Sequence, residues 1–125
     1  MKLEQPSERV MSVFRSAAPG GPEALERKMF GQPCAFVHGN MFMGVCEDLF
    51  WVRLGPAHRA DAVAAGAEPF SPLGRTMREY VTLPPSVLVD PDATRSWVDR
   101  AYAYACTLPP KEPKPRARGA ATRKS

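Results

Sequence analysis

Three cysteines, two histidines and an arginine-bearing turn are the residues of this sequence with reactive chemistry to offer. Cys34 stands four residues before His38 in "CAFVHGNMFMGVC", and Cys46 closes the same stretch. A thiol near an imidazole suggests nucleophilic catalysis, in which the base takes the thiol proton and a third group orients the base. No carboxylate is placed to orient His38, which falls at a turn signal, so a thiol-dependent enzyme is a minor reading. There is no C-x-x-C, and His38 and His58 lack ligand spacing, so no metal site is expected. "GRTMRE" carries Arg75 and Arg78 but opens no helix from a glycine-rich loop, which removes the phosphate cradle. The scattered carboxylates form no acid–base pair. Catalytic residues and cofactors are therefore expected to be absent. Glu79, read on the Met77, Val81 and Leu83 side of a strand, would be buried and would need a cationic partner, with Arg75 or Arg27 available.

The surrounding chain is of ordinary globular composition, 125 residues with 44% hydrophobic and 24% charged, enough for one domain with a real core. No apolar run reaches the ~18 residues of a membrane span. The amino terminus carries no hydrophobic signal core, so a cytoplasmic protein with reduced thiols and no membrane association is expected. The net charge of +4 is unevenly placed. From Pro109 onward Lys111, Lys114, Arg116, Arg118, Arg123 and Lys124 oppose Glu112 alone, a net of +5, while the other 108 residues hold 11 basic and 12 acidic side chains, a net of −1. Residues 1–108 thus read as the domain and 109–125 as a flexible basic tail. Any weak, non-specific pull on nucleic acid would come mainly from those six cations.

Ser7 caps a first helix with Val10, Val13, Phe14 and Ala17 on one stripe, and "APGGP" stops it. Residues 23–29 read as a helical turn running into a short strand. "PCAFVH" and "MFMGVC" flank Gly39-Asn40, a two-residue hairpin loop, and "LFWVRL" follows the turn at Glu47-Asp48. A helix over 57–65 ends at Gly66, a strand covers 74–83, and "PPSVL" makes one turn. Asp90-Pro91-Asp92 opens a last helix, reaching about Cys106, with Trp97, Ala101, Tyr104 and Leu108 on one stripe. This order predicts an α+β fold, a two-layer antiparallel sheet with flanking helices.

With two-residue loops, alternation sorts the strands into two faces. Cys34, Phe36, Met41, Met43, Val45, Phe50, Val52 and Leu54 form the core beneath the helices. The opposite row carries Val37, Phe42, Leu49 and Trp51, with Arg53 its only charge. An outward row that apolar suggests an interface with a protein partner or a second copy, unless a loop such as 68–74 covers it. The same register separates Cys34, pointing in, from Cys46, pointing out.

"RKMFG", the hairpin "AFVHGNMFMGV", "LFWVRL", "AGAEPFSPLGRTMREYVTLPPSVLVDP" and the closing Trp/Ala/Tyr helix together resemble the TfoX/Sxy amino-terminal domain family over roughly Arg27 to Leu108. The resemblance implies a small secretion-chaperone-like α+β fold. It also implies kinship with regulators of bacterial natural competence, which act with other transcription factors rather than as enzymes. Full-length members carry a second, helical domain, and this sequence reads as a version with a basic tail in its place. The family offers no catalytic residues to transfer. The expected function is a non-enzymatic regulatory or protein-interaction domain, with nucleic-acid binding through the tail as the alternative.

Overall fold

The computed structural model describes residues 4–19, 24–29 and 31–110. The chain runs α1 (Glu8–Ala17), β1 (Ala24–Met29), β2 (Gln32–Val37), β3 (Asn40–Cys46), β4 (Leu49–Arg53), α2 (Pro56–Ala64), β5 (Glu68–Pro69), β6 (Tyr80–Thr82), α3 (Pro85–Leu88) and α4 (Pro91–Thr107), with a 3-10 turn at Pro72–Gly74. The strands form one antiparallel sheet in the order β1-β2-β3-β4-β6-β5, so the protein is α+β.

The helix starts follow from local chemistry. The Ser7 side chain accepts from the Val10 N–H, and the Asp90 carboxylate accepts from the N–H groups of Asp92 and Ala93. Each satisfies donors that a helix start leaves open. Pro56 and Pro91 occupy first-turn positions, where the missing N–H costs nothing. Gly66, at φ 107°, ends the chain segment after α2 in a conformation other residues avoid.

One sheet face is covered by helices. Val10, Phe14 and Ala17 of α1 and Val98, Ala101 and Ala105 of α4 bury against Met43, Val45, Phe50, Val52, Leu54, Val81 and Leu83. On α4 the fully buried stripe is Thr94, Val98, Ala101 and Ala105, one position away from the expected Trp97, Ala101, Tyr104 and Leu108. Small residues at that stripe let the helix lie close to the sheet, while Trp97 and Tyr104 project to its flanks.

The β2–β3 hairpin departs from expectation. Its loop is His38-Gly39, with φ of 51° and 80°, and Val37 pairs with Asn40. Two consecutive positive φ values are those of the tight turn that suits strand twist. Asn40 is drawn into β3 because its side chain is buried and its Nδ2 donates to the Pro109 carbonyl at 3.1 Å. Phe36 then pairs with Met41 but Ala35 with Met43, leaving Phe42 as a bulge. A bulge adds one residue to one strand and re-phases the pairing. Ala35, Val37 and Phe42 therefore face the helices, whereas Cys34, Phe36 and Met41 face away. Met43, Val45 and all of β4 keep their expected sides.

Residues 74–83 are also not one strand. Only Tyr80–Thr82 pair with neighbours, and the preceding segment turns irregularly over the outer face. Met77 N donates to the Phe70 carbonyl at 2.8 Å and Phe70 N to the Tyr80 carbonyl at 3.1 Å, which closes residues 70–80 into a cover.

Candidate functional site

That cover decides the fate of the expected outward patch. Phe70 stacks on Trp51 with centroids 5.5 Å apart and planes at 19°, and Tyr80 meets the same indole edge-on at 5.3 Å. Trp51 is 0% exposed, in a cluster with Cys34, Cys46 and Phe70. Its Nε1 is buried with no hydrogen-bond partner, so the indole is held by shape. Val37 and Phe42 are buried on the other side, Phe42 edge-on to Tyr102 of α4 at 5.3 Å. Leu49 alone of the four apolar candidates is exposed, at 49%. The proposed face of Val37, Phe42, Leu49, Trp51 and Arg53 is thus not an exposed patch. The bulge turns two members inward and the 70–80 segment covers a third. The tail cations Lys111, Lys114, Arg116, Arg118, Arg123 and Lys124 lie outside the described residues.

The two buried cysteines are equally far from chemistry. Cys34 and Cys46 share the covered cluster, contrary to the expected separation, and both are free thiols. Burial pushes the Cys34 thiol up to about 11, with Glu26 adding to the rise and Arg27 opposing it. Burial likewise raises Cys46. A thiol so protonated at neutral pH is a poor nucleophile. Among the described residues no cluster of His, Cys, Asp or Glu could hold a metal ion.

Polar groups converge instead at Glu79. Its backbone sits at φ 77°, a region costly for a residue with a Cβ. Arg53 holds its Oε1 through Nε at 2.9 Å and through a second guanidinium nitrogen at 2.8 Å, and the Tyr104 hydroxyl donates to Oε2 at 3.0 Å. The Glu79 carbonyl accepts from Leu54 N at 2.9 Å. Partners on β4 and α4 thus hold a strained residue that local sequence would not keep. Burial pushes the Glu79 carboxyl up, but the hydrogen bonds from Arg53 and Tyr104 outweigh it and leave the group below its usual value. Tyr104 is pushed up by burial and by the carboxylate it touches. The partners differ from the expected Arg75 and Arg27. Arg53, marked in the sequence as the lone charge of its row, is the cation that fills the role.

Glu79 lies in the wall of a solvent-open cleft of about 540 Å³ between α2 and residues 76–81. Pro56, Val63, Met77 and Val81 provide apolar surface, and Arg59 and Arg78 stand in its lining. Arg59 donates through one guanidinium nitrogen to the Leu54 carbonyl at 3.0 Å. Arg78 is exposed. Sequence reasoning missed Arg59 and Tyr104. The only hint of Arg59 was a single cation in an alanine-rich helix, and nothing in the spacing linked Tyr104 to Glu79. A second depression follows α1, two hollows of about 250 and 260 Å³ that share Val13 and Leu88.

The segment that builds the cover and the cleft lies inside a match to a known family: the sequence profile of the TfoX N-terminal domain covers residues 19–105. The chain belongs to the TfoX N-terminal domain family. No curated protein matches it. Every element from β1 through β6, and nearly all of α4, falls in the matched TfoX N-terminal region, whereas α1 precedes it. No helix among the described residues is long and apolar enough to cross a membrane.

Proposed function

We propose that this TfoX-type domain is a non-enzymatic regulatory module that works in the cytoplasm by holding another protein, and that the cleft between α2 and residues 76–81 is the docking place. The observation that carries the reading is Glu79, kept at φ 77° by Arg53 and Tyr104. Backbone strain maintained by contacts from distant elements is characteristic of sites shaped for use rather than for stability alone. The likeness to TfoX/Sxy regulators supports a role beside transcription factors. A photo-crosslinking residue at Ala60, exposed in the cleft lining, is expected to give one discrete adduct in cells, and the same residue at exposed Ala103 on α4 none. No adduct from position 60, or equal adducts from both positions, overturns the reading.

The net +5 charge of residues 109–125 favours a second reading, nucleic-acid binding through the tail. Six phosphate contacts would give a log–log salt slope of about −5 on duplex DNA. A chain ending at Leu108 loses that binding if the tail supplies it. Affinity that survives the truncation, or none at low salt in the full chain, refutes the tail reading.

A further inference from the structure

We propose that the segment docking in the Glu79 cleft is an acidic peptide that alternates carboxylate and apolar side chains; this rests on the docking reading above and adds the chemistry of the partner.

The charge pattern is the first support. Among the described residues Glu79 is the sole carboxylate in the cleft lining, and both of its oxygens are engaged, one by Arg53 and the other by Tyr104. Its negative charge is therefore spent within the protein. Arg59 lies within electrostatic reach of Glu79 and helps hold its carboxyl down, but among the described residues no hydrogen bond or salt bridge joins Arg59 or Arg78 to a carboxylate. Asp61 on α2 and Glu68 on β5, the acids on the flanking elements, do not line the cleft. The lining thus sets two arginines against one carboxylate that Arg53 already engages, a positive excess that attracts carboxylates.

Shape and apolar surface are the second support. Arg59 is tethered at the Leu54 carbonyl, which steadies its guanidinium while leaving other N–H groups to donate. Planar guanidinium donors match carboxylates in pairs. Part of the lining is apolar, with Met77, Val81 and Val63, the last 53% exposed. A partner bearing only charge would leave this apolar surface wet, and a wholly apolar one would strand two arginines. A strand of alternating acidic and aliphatic residues satisfies both.

The test is a titration of the isotope-labelled full chain, followed by backbone amide NMR, with a capped hexapeptide alternating glutamate and leucine and with its lysine–leucine counterpart. Saturable shifts at Ala60, Val63 and Met77 to Val81 are expected for the acidic peptide alone. Arg78→Glu, a change at an exposed side chain, should weaken binding at least about tenfold, and Arg78→Lys, which keeps the charge but not the paired donors, should weaken it less than Arg78→Glu. Dispersed spectra of both variants verify the fold. The proposal is overturned by no shifts, by shifts confined to residues 111–125, by an equal response to the basic peptide, or by indifference to Arg78→Glu. A crosslinked adduct at Ala60 without acidic-peptide binding would leave the docking reading standing and remove only this one.

Discussion

Gly44→Ala should unfold the protein far more readily than its single added methyl suggests. Gly44 lies opposite Trp51 in the β3–β4 ladder. A Cβ built there would stand 2.4 Å from Trp51 Cζ2, 2.7 Å from Cε2 and 2.8 Å from the Cys34 Cβ. Carbon atoms attract best near ~3.5–4.0 Å, so the methyl would sit about 1 Å too close to the indole and well inside contact with a strand-anchored Cβ. Cys34 can give way only by moving β2, and Trp51 only by leaving Phe70 and Tyr80. Overpacking costs about 1–3 kcal/mol, and each aromatic pair pulled apart adds about 0.5–1.5 kcal/mol. A total near 3 kcal/mol follows. With a urea slope of about 1.5 kcal/mol/M, the unfolding midpoint should fall by about 2 M. Trp51→Phe removes the ring that carries Cζ2, so the double variant should lose less than the sum of the singles by more than about 1 kcal/mol. Urea melts of wild type, both singles and the double measure both quantities. A Gly44→Ala stability within about 0.5 kcal/mol of wild type, or strict additivity, would refute the steric reasoning.

Acid should loosen two ties. Glu79 and Asp48 are both held below their usual values, Asp48 chiefly by the backbone and side-chain hydrogen bonds of Ser7. The folded protein therefore binds fewer protons than the unfolded chain at these sites. Their contribution is complete above the ordinary carboxyl range and is lost as pH falls from about 5 through the lower folded values. Unfolding melts between about pH 6 and 3 should show an acid limb that Glu79→Gln and Asp48→Asn each flatten, and an unchanged limb would be contrary. Thiol titration at about pH 8 should find Cys106, the exposed cysteine, reacting quickly and Cys34 about a hundredfold more slowly. Rapid modification that persists in Cys106→Ser would contradict this. Trp51→Glu should destabilise severely, by an amount typical of burying an unpaired charge, ~3–5 kcal/mol, and so report on folding rather than on association.

Where structure depends on neighbouring residues, the sequence was readable. Ser7 and Asp90 cap the helices expected of them, the Glu47-Asp48 turn joins β3 to β4, and the alternation along β4 sends Phe50 and Val52 to the helices and Trp51 away. The failures lie where distant residues decide. The choice of His38-Gly39 over Gly39-Asn40 depends on Asn40 reaching Pro109, 69 positions later. The 74–83 region has strand-like alternation, but Phe70 draws most of it off the sheet to cover Trp51. The Glu79 clamp needs Arg53 and Tyr104, 26 and 25 positions away. Composition identified a carboxylate in need of a partner, but only the fold could choose which one.

The extra residue at Phe42 also governs how this hairpin should be compared among relatives. A relative with one residue fewer between the turn and Gly44 would have β2 inside out relative to β3, bringing its counterparts of Cys34 and Phe36 beneath the helices. Column-by-column matching through "HGNMFMG" would then equate positions on opposite sides of the molecule. A gap belongs at 42 in such alignments, and thiol reactivity measured in one relative transfers to another only when both carry the same length there.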